Sequence, residues 1–555
     1  MSVPDGAATA GGDARAGRDA TPGAPATAVP AVPRAGYTVH VSADPYPSGV
    51  RRLLSYRLGD VYLHVSAPAA TPQATGAPVV ATSWEAVVEA LLPSRVVDHR
   101  PHGTVRPRDA AFEHLYPVLA PGGTYVFEDA RSAPGHLRAP DGASDEASPA
   151  SPGMPAALVA FCARTLATVR EQDGSRELTK KSFDQRILRE RPASDLAPSA
   201  PVVAPESYPR VVPTIVDDGA GEDRLSRLTG GFEDQSPPVG TLSLFRDVRV
   251  IGYGTIVTDD RYVVSESMVH NHHQQQRGML FRVGASAVHV AENPLLPPGT
   301  PPIEGDCVVL KQNWDANYGH WLVDTLPRVL SVAPHYDLGA VRFLLNPPPN
   351  DAMRDVCTRS MVLAGAREEN LVFDGSHPRT VDHAIYPSPI SDAPLVKHPA
   401  AIRFLRGFTA APQVAAATDH APHGRIYLSR NGFGKREMLN EDQLLPLLLD
   451  AGYVVVHPEQ LSFLDQVATF ADATHVVGNM GAAFANLVFA AEGVHTLCIG
   501  TELMQHDYFY DIVCLKGGTY TGMNGPATHR ERGLASDFTV DTEAFRKVAT
   551  HAGLL

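Results

Sequence analysis

Apolar and polar positions alternate along this chain with two distinct periods, and the switching between them predicts an α/β protein. Short apolar runs read as buried strands and are followed by longer runs of helical period. In the N-terminal third the series is strand 78–83, helix 84–92, strand 95–100, helix 109–123 closed by Gly122 and Gly123, strand 124–130, helix 155–171 and a final segment 182–191. Beyond residue 240 it resumes with strand 306–312, a helix over 317–329, strand 341–346, helix 351–366 and strand 370–375. A connecting helix over 399–410 leads to a second round: strand 425–430, helix 441–452, strand 453–458, helix 459–473, strand 475–478, helix 482–493 and strand 495–500. Strands alternating with helices indicate parallel sheets, so the later half reads as two consecutive doubly wound units.

Other stretches lack any period. Residues 1–36 are rich in Ala, Gly, Pro and Thr and are expected to be disordered; 138–153 has a similar composition. The Pro- and Gly-rich stretch 192–240 is expected to be an interdomain linker. The expected organisation is a tail over 1–36, an α/β domain over 37–191, the linker, and a catalytic region over 241–555 with lobes at about 241–410 and 411–555. No internal repeat is visible.

Composition narrows the function classes. The chain has 555 residues, enough for several domains, and a net charge of -14 that argues against a general nucleic-acid binder while leaving room for a local basic pocket. Its five cysteines are widely spaced without a C-x-x-C, which points to neither a disulfide framework nor a zinc knuckle. No basic-then-apolar leader opens the chain, and no run reaches the ~18 apolar residues needed to span a bilayer. The expectation is a soluble, cytoplasmic protein with no transmembrane segment.

Three stretches carry candidate chemistry. In "NYGHWLVDTLPRV", His320, Asp324 and Arg328 are four apart, so a helix would line them up. An Asp can orient a His and raise its basicity for deprotonating a hydroxyl; the plain alternative is a solvated charge ladder, and Pro327 predicts a kink. In "RIYLSRNGFGKREMLN", Arg425, Arg430, Lys435 and Arg436 flank a Gly-containing loop just after a strand, and guanidinium pairs suit a diphosphate. A solvated basic loop is the alternative, and Asn440 with Gln443 also reads as a capping box. In "HVVGNMGAAFANLVFA", a strand ends at Gly478, and a turn with Gly481 opens a helix whose first N–H groups could face a phosphate, or could form an ordinary strand-to-helix turn. The chain contains no D-x-D, the carboxylate pair that commonly holds a divalent metal on a diphosphate, so no metal or other cofactor is expected.

In this order the three stretches resemble glycosyltransferase family 61. Asn317, His320, Asp324, Leu326, Pro327 and Arg328 match its first motif. Arg430, Arg436, Asn440 and Glu441 match the second, and Gly478, Gly481, Ala482 and Asn486 the third. Gln466, within "LSFLDQVATFADA", and the strands near 251 are also similar to family text. The resemblance covers about 240–550. It implies two Rossmann-like lobes of the GT-B type, a nucleotide-sugar donor, a glycan or polysaccharide acceptor, and inversion at the anomeric carbon. It implies His320 and Asp324 as catalytic; Arg430, Lys435, Arg436, Asn440, Glu441, Gln466, Gly478, Gly481, Ala482 and Asn486 on the donor side; and Asn317 and Arg328 on the acceptor side. Two departures stand out: Met480 replaces the family's His, and an acidic residue usual in the next strand is absent around Cys498.

Residues 96–130 resemble the C-terminal half of class I methyltransferases, with Asp98, His102, Glu128 and Asp129 at the corresponding places. No G-x-G-x-G precedes them, so the likeness implies a degenerate, partial Rossmann-like domain without a seat for S-adenosylmethionine. The leading expectation is an inverting glycosyltransferase. The alternatives are a non-catalytic glycan or nucleotide-sugar binding protein and a bifunctional methyltransferase–glycosyltransferase.

Overall fold

A computed structural model describes residues 38–42, 54–58, 61–66, 79–80, 93–100, 110–133, 156–182, 185–210, 214–217, 235–259, 261–268, 280–284, 286–291, 300–375, 377–391, 396–417, 423–503 and 508–555. The expected tail 1–36, the 84–92 helix, the 138–153 insert and His102 lie outside these residues. Among the described residues, no helix is long and apolar enough to cross a membrane.

Three sheets organise the described residues. The first holds parallel strands Thr38–Ser42, Arg95–Asp98 and Thr124–Phe127, with antiparallel strands on either side. Helices Ala110–Val118 and Ala156–Thr165 cover it, burying Phe112, Tyr116 and Phe161 against Tyr125 and Phe127. The helix expected over 155–171 stops at Thr165. Leu166–Gln172 is instead a strand that forms a hairpin with Ser175–Lys180. The cause is the Asp173–Gly174 turn, in which both residues have positive φ, matching the twist of a two-residue hairpin.

Among the described residues the second sheet has eleven strands. One half is antiparallel around the long strand Gly240–Ile251 except for the parallel pair Tyr262–Val264 and Arg186–Arg191; the other is a parallel set of Arg379–Pro387, Ile303–Val309, Arg342–Leu345 and Leu371–Phe373. Strand Arg186–Arg191, expected to close the N-terminal domain, belongs here, paired with Tyr262–Val264 and Val288–Ala291. Phe281 of this sheet packs on Phe161 with ring centroids 4.3 Å apart, so the first two units share a core.

The third sheet is wholly parallel, in the order Thr214–Asp217, Thr519–Gly525, His495–Thr501, His475–Asn479, Arg425–Leu428, Val454–Val456. Its apolar face and that of the second sheet meet in one cluster that joins Phe343 and Leu345 to Ile426, Leu428 and Val476. The carboxyl ends of Ile303–Val309, Arg425–Leu428 and His475–Asn479 lead into the three candidate stretches, the position where parallel sheets hold ligands.

The linker expected over 192–240 is corrected for its described part. Ser199–Val203 adds to the second sheet and Thr214–Asp217 to the third, so this segment straps the two together. Between those strands, Arg210 makes a two-pronged ion pair with Asp511 at 2.8 Å per bond, and the Tyr208 hydroxyl donates to the same carboxylate at 2.9 Å. Both charged side chains are excluded from solvent. Proline-rich composition hid two strands, one paired with Gly240–Ile251 and the other with Thr519–Gly525, some three hundred positions downstream. Arg210→Met should lower stability by about 3–5 kcal/mol in denaturant unfolding, because the Asp511 charge is left buried and uncompensated. A flexible tether would tolerate the change.

Candidate active site

The helix that carries His320 begins at Asn317, whose Oδ1 accepts from the Gly319 N–H at 2.9 Å. Its winding changes twice. Tyr318–His320 is α-helical, Trp321–Thr325 is a wide π turn, and Leu326–Ser331 is a tight 3-10 turn that takes Pro327 in its first positions. A π turn thus stands where a kink at Pro327 was expected, and such turns recur at functional sites. It breaks the expected three-residue stripe after Asp324. Arg328 turns inward, where Nε donates to the Pro387 carbonyl at 2.9 Å and Nη1 to that of Leu310 at 3.1 Å. Its guanidinium is 1% exposed and braces two strand ends, so the acceptor-side expectation for Arg328 is corrected.

Asp324 is the hub of the site. Oδ2 accepts from His320 Nδ1 at 2.7 Å and from the Tyr508 hydroxyl at 2.9 Å. Oδ1 accepts from Lys397 Nζ at 2.9 Å and Ser391 Oγ at 2.8 Å. Asp324 and Lys397 are both fully buried. A carboxylate only accepts, so His320 carries its proton on Nδ1, and Nε2 is left as the basic nitrogen. The imidazole sits between the rings of Trp314 and Tyr508, at centroid distances of 5.1 and 5.0 Å. Burial, then the Asp324 charge, holds the Tyr508 hydroxyl well above the ordinary phenol range, so it stays a donor. Behind Lys397, its backbone N–H donates to the Tyr208 hydroxyl at 3.2 Å, which links the hub to the Arg210–Asp511 pair of the strap. The sequence reading missed Tyr208, Ser391, Lys397 and Tyr508, which stand alone in their segments without a motif around them.

Opposite this hub lies the basic loop. Gly432 and Gly434 adopt positive φ, and their N–H groups both donate to Glu437 Oε1, at 3.0 and 2.7 Å. The loop therefore curls around its own carboxylate and presents side chains to the cleft. Arg430 stacks 4.2 Å from the Phe433 ring centroid and lies across Gly481, where any side-chain carbon would collide with the guanidinium. Burial, then the nearby Arg436 charge, pushes the Arg430 pKa down to about 10; burial also lowers that of Arg436. Two cations crowded in this way are relieved by an anion between them.

Two cavities join these parts. A larger one of about 670 Å³ is lined by Trp314, His320, Arg436, Gly481, Tyr508 and Phe509. A smaller one of about 290 Å³ is lined by Met353, Arg430, Phe433, Glu459, Gln466 and Asn479. They share the walls formed by Ala316, Asn317, Pro349 and Ala482.

Several residues expected on the donor side are framework instead. Asn440 exchanges hydrogen bonds with the Val540 backbone at 2.7 and 3.0 Å. Glu441 is buried and accepts from the hydroxyls of Tyr427 and Ser429, fastening the 441–450 helix to its strand. Asn486 is buried between the Tyr318 hydroxyl and Gln466, and Gln466 spends both ends of its amide on Asn486 and Leu461 while still lining the smaller cavity. Gly478 permits close approach of its strand to Leu428. Lys435 is solvent-exposed, with its ammonium 5.7 Å from the Phe433 ring centroid.

Residues 318–497 match the model of the family described as Glycosyltransferase 61. Over that stretch the chain is similar to glycosyltransferase family 61. A comparison with curated proteins finds no match. The matched stretch spans the His320–Asp324 pair, the basic loop and the Gly481 turn, while Trp314, Asn317, Tyr508 and Phe509 of the larger cavity lie outside it. Met480, where the family resemblance led us to expect a His, donates its N–H to the Ile499 carbonyl at 2.7 Å and buries its side chain against Gly500. Among the described groups, no cluster of three metal-ligating side chains occurs.

The hub makes a prediction about stability. Asp324→Leu should cost about 3–5 kcal/mol, because it strands the Lys397 ammonium in the interior. Adding Lys397→Met should restore most of that loss, a non-additivity that a double-mutant cycle of denaturation curves reads directly.

Proposed function

We propose that the family 61 domain is an inverting glycosyltransferase that moves a sugar from a nucleotide-sugar donor to a hydroxyl of a glycan acceptor, on a fold of the GT-B type. The observation that carries this reading is the meeting of the His320–Asp324 pair and the Arg436–Gly481 wall across one cavity. In the reaction, His320 Nε2 takes the proton from the acceptor hydroxyl. The hydroxyl oxygen attacks the anomeric carbon from the face opposite the leaving group, the bond from that carbon to the β-phosphate oxygen breaks, and the nucleoside diphosphate departs. Asp324 holds the imidazole and offsets the positive charge it gains. Arg430 and Arg436 supply the positive charge for the departing diphosphate, in the place that a divalent metal takes in many transferases. Trp314, 37% exposed at the cavity mouth and in the left-handed backbone region, offers a flat apolar face to a sugar ring.

His320→Gln keeps the size of the side chain and leaves Asp324 its three other partners, so the fold should survive. Its kcat for transfer should fall about 10²–10⁴-fold with donor KM little changed. Undiminished turnover would remove His320 from the chemistry and place the base elsewhere; no transfer by the wild type from any nucleotide sugar would leave the domain a binding module.

For residues 37–191 we infer a scaffold role. The carboxylates at the places expected from methyltransferase likeness are already engaged. Asp98 is 1% exposed and bound by the Arg100 Nε at 2.9 Å and the Tyr125 hydroxyl at 3.3 Å. Glu128 pairs with His99 at 2.8 Å and Asp129 with Arg131 at 2.8 Å. Calorimetric titration with S-adenosylmethionine should give no binding heat; a saturable heat would restore a bifunctional enzyme.

A further inference from the structure

A residue that lines the smaller cavity carries a polar atom left unmet among the described residues. Asn479 ends the strand His475–Asn479 and is 3% exposed. Its Nδ2 donates to the backbone carbonyl of Arg436 at 2.7 Å. A carbonyl oxygen only accepts, so the amide cannot be turned around, and Oδ1 is fixed at the other end. That Oδ1 is buried and has no hydrogen-bond partner among the described residues. Leaving such an acceptor dry costs about 1–3 kcal/mol. Asn479 also lines the cavity, so a ligand there can supply the missing donor.

The other walls limit what that ligand is. Glu459 adds an acceptor-only carboxylate, 42% exposed, while Phe433 and Met353 supply apolar surface. This combination disfavours an anion and suits a flat, neutral group bearing N–H or O–H donors. The arginines stand at the passage towards the larger cavity, with Arg430 lining one space and Arg436 the other.

We propose that Asn479 is a specificity-determining residue for the donor: its Oδ1 accepts a hydrogen bond from the nucleoside, which occupies the smaller cavity while the diphosphate runs past Arg430 and Arg436. The inference rests on the transferase reading above. The nucleoside's donor is either a base N–H or the ribose 2′-hydroxyl.

The test is calorimetric titration of the full chain, wild type and Asn479→Leu, with UDP, GDP, ADP, CDP, their 2′-deoxy forms and inorganic pyrophosphate. Asn479→Leu should weaken the best nucleoside diphosphate roughly tenfold, the worth of one buried hydrogen bond, and leave pyrophosphate unchanged. If the donor is the 2′-hydroxyl, the wild type loses the same factor with the 2′-deoxy form, and the variant binds both forms alike. If it is a base N–H, the substitution weakens ribo and deoxy forms equally. Unchanged nucleotide affinity, or an equal loss for pyrophosphate, overturns the inference alone. A wild type that binds none of the nucleotides overturns the transferase reading and this inference with it. Should Asn479→Leu fail to fold, the solvent-facing Glu459→Gln serves instead: it should weaken nucleoside diphosphates relative to pyrophosphate, and a ratio that does not move counts against the proposal.

Discussion

A buried carboxylate that must satisfy four donors at once governs this molecule. Asp324 is fully excluded from water, and a lone charge there would be prohibitive. Lys397 neutralises it, Ser391 and Tyr508 occupy further lone pairs, and one direction remains for the His320 imidazole. The chain must therefore bring four distant segments to one point. The helix at 318–331, Ser391, Lys397 and the turn at Tyr508 converge on it, and the Tyr208 strap locks the Lys397 backbone from behind. The same constraint fixes which histidine nitrogen is basic, so stability and candidate chemistry depend on one cluster.

The arrangement across the cleft has the opposite character. There, like charges are held close together, and Arg430 is pressed over a glycine by its contact with Phe433. The glycines of the loop spend their N–H groups on Glu437, so the loop is shaped before any ligand arrives. One wall of the cleft is thus complete in itself, while the other gains from an anion.

Much of the later half was legible in the sequence. Strands such as Arg425–Leu428 and His475–Asn479 are continuous apolar runs bounded by glycine or charge, and periodicity finds them. His320, Asp324, Arg430, Arg436 and Gly481 were also found, because a motif keeps cleft residues at fixed offsets. A motif does not separate a residue that touches the cavity from one that braces it. Arg328, Asn440, Glu441 and Asn486 proved to be braces, each satisfied by nearby backbone or buried partners. Lys397 and Tyr508 were invisible, since nothing local marks a lone residue whose partner lies 73 or 184 positions away. The strap strands Ser199–Val203 and Thr214–Asp217 were misread because prolines recur around them, at 201, 205, 209 and 213, while their strand character comes from edges supplied by the two sheets.

The central claim is that one cleft places a diphosphate against Arg430 and Arg436, with the His320 imidazole facing the space beyond. An experimental structure with a bound nucleoside diphosphate tests it most directly. The account predicts phosphate oxygens within hydrogen-bond distance of both guanidinium groups, beside the Gly481 turn, and His320 still bound to Asp324 through Nδ1. Phosphates bound outside this cleft, or an imidazole turned away from Asp324 in the complex, would contradict it.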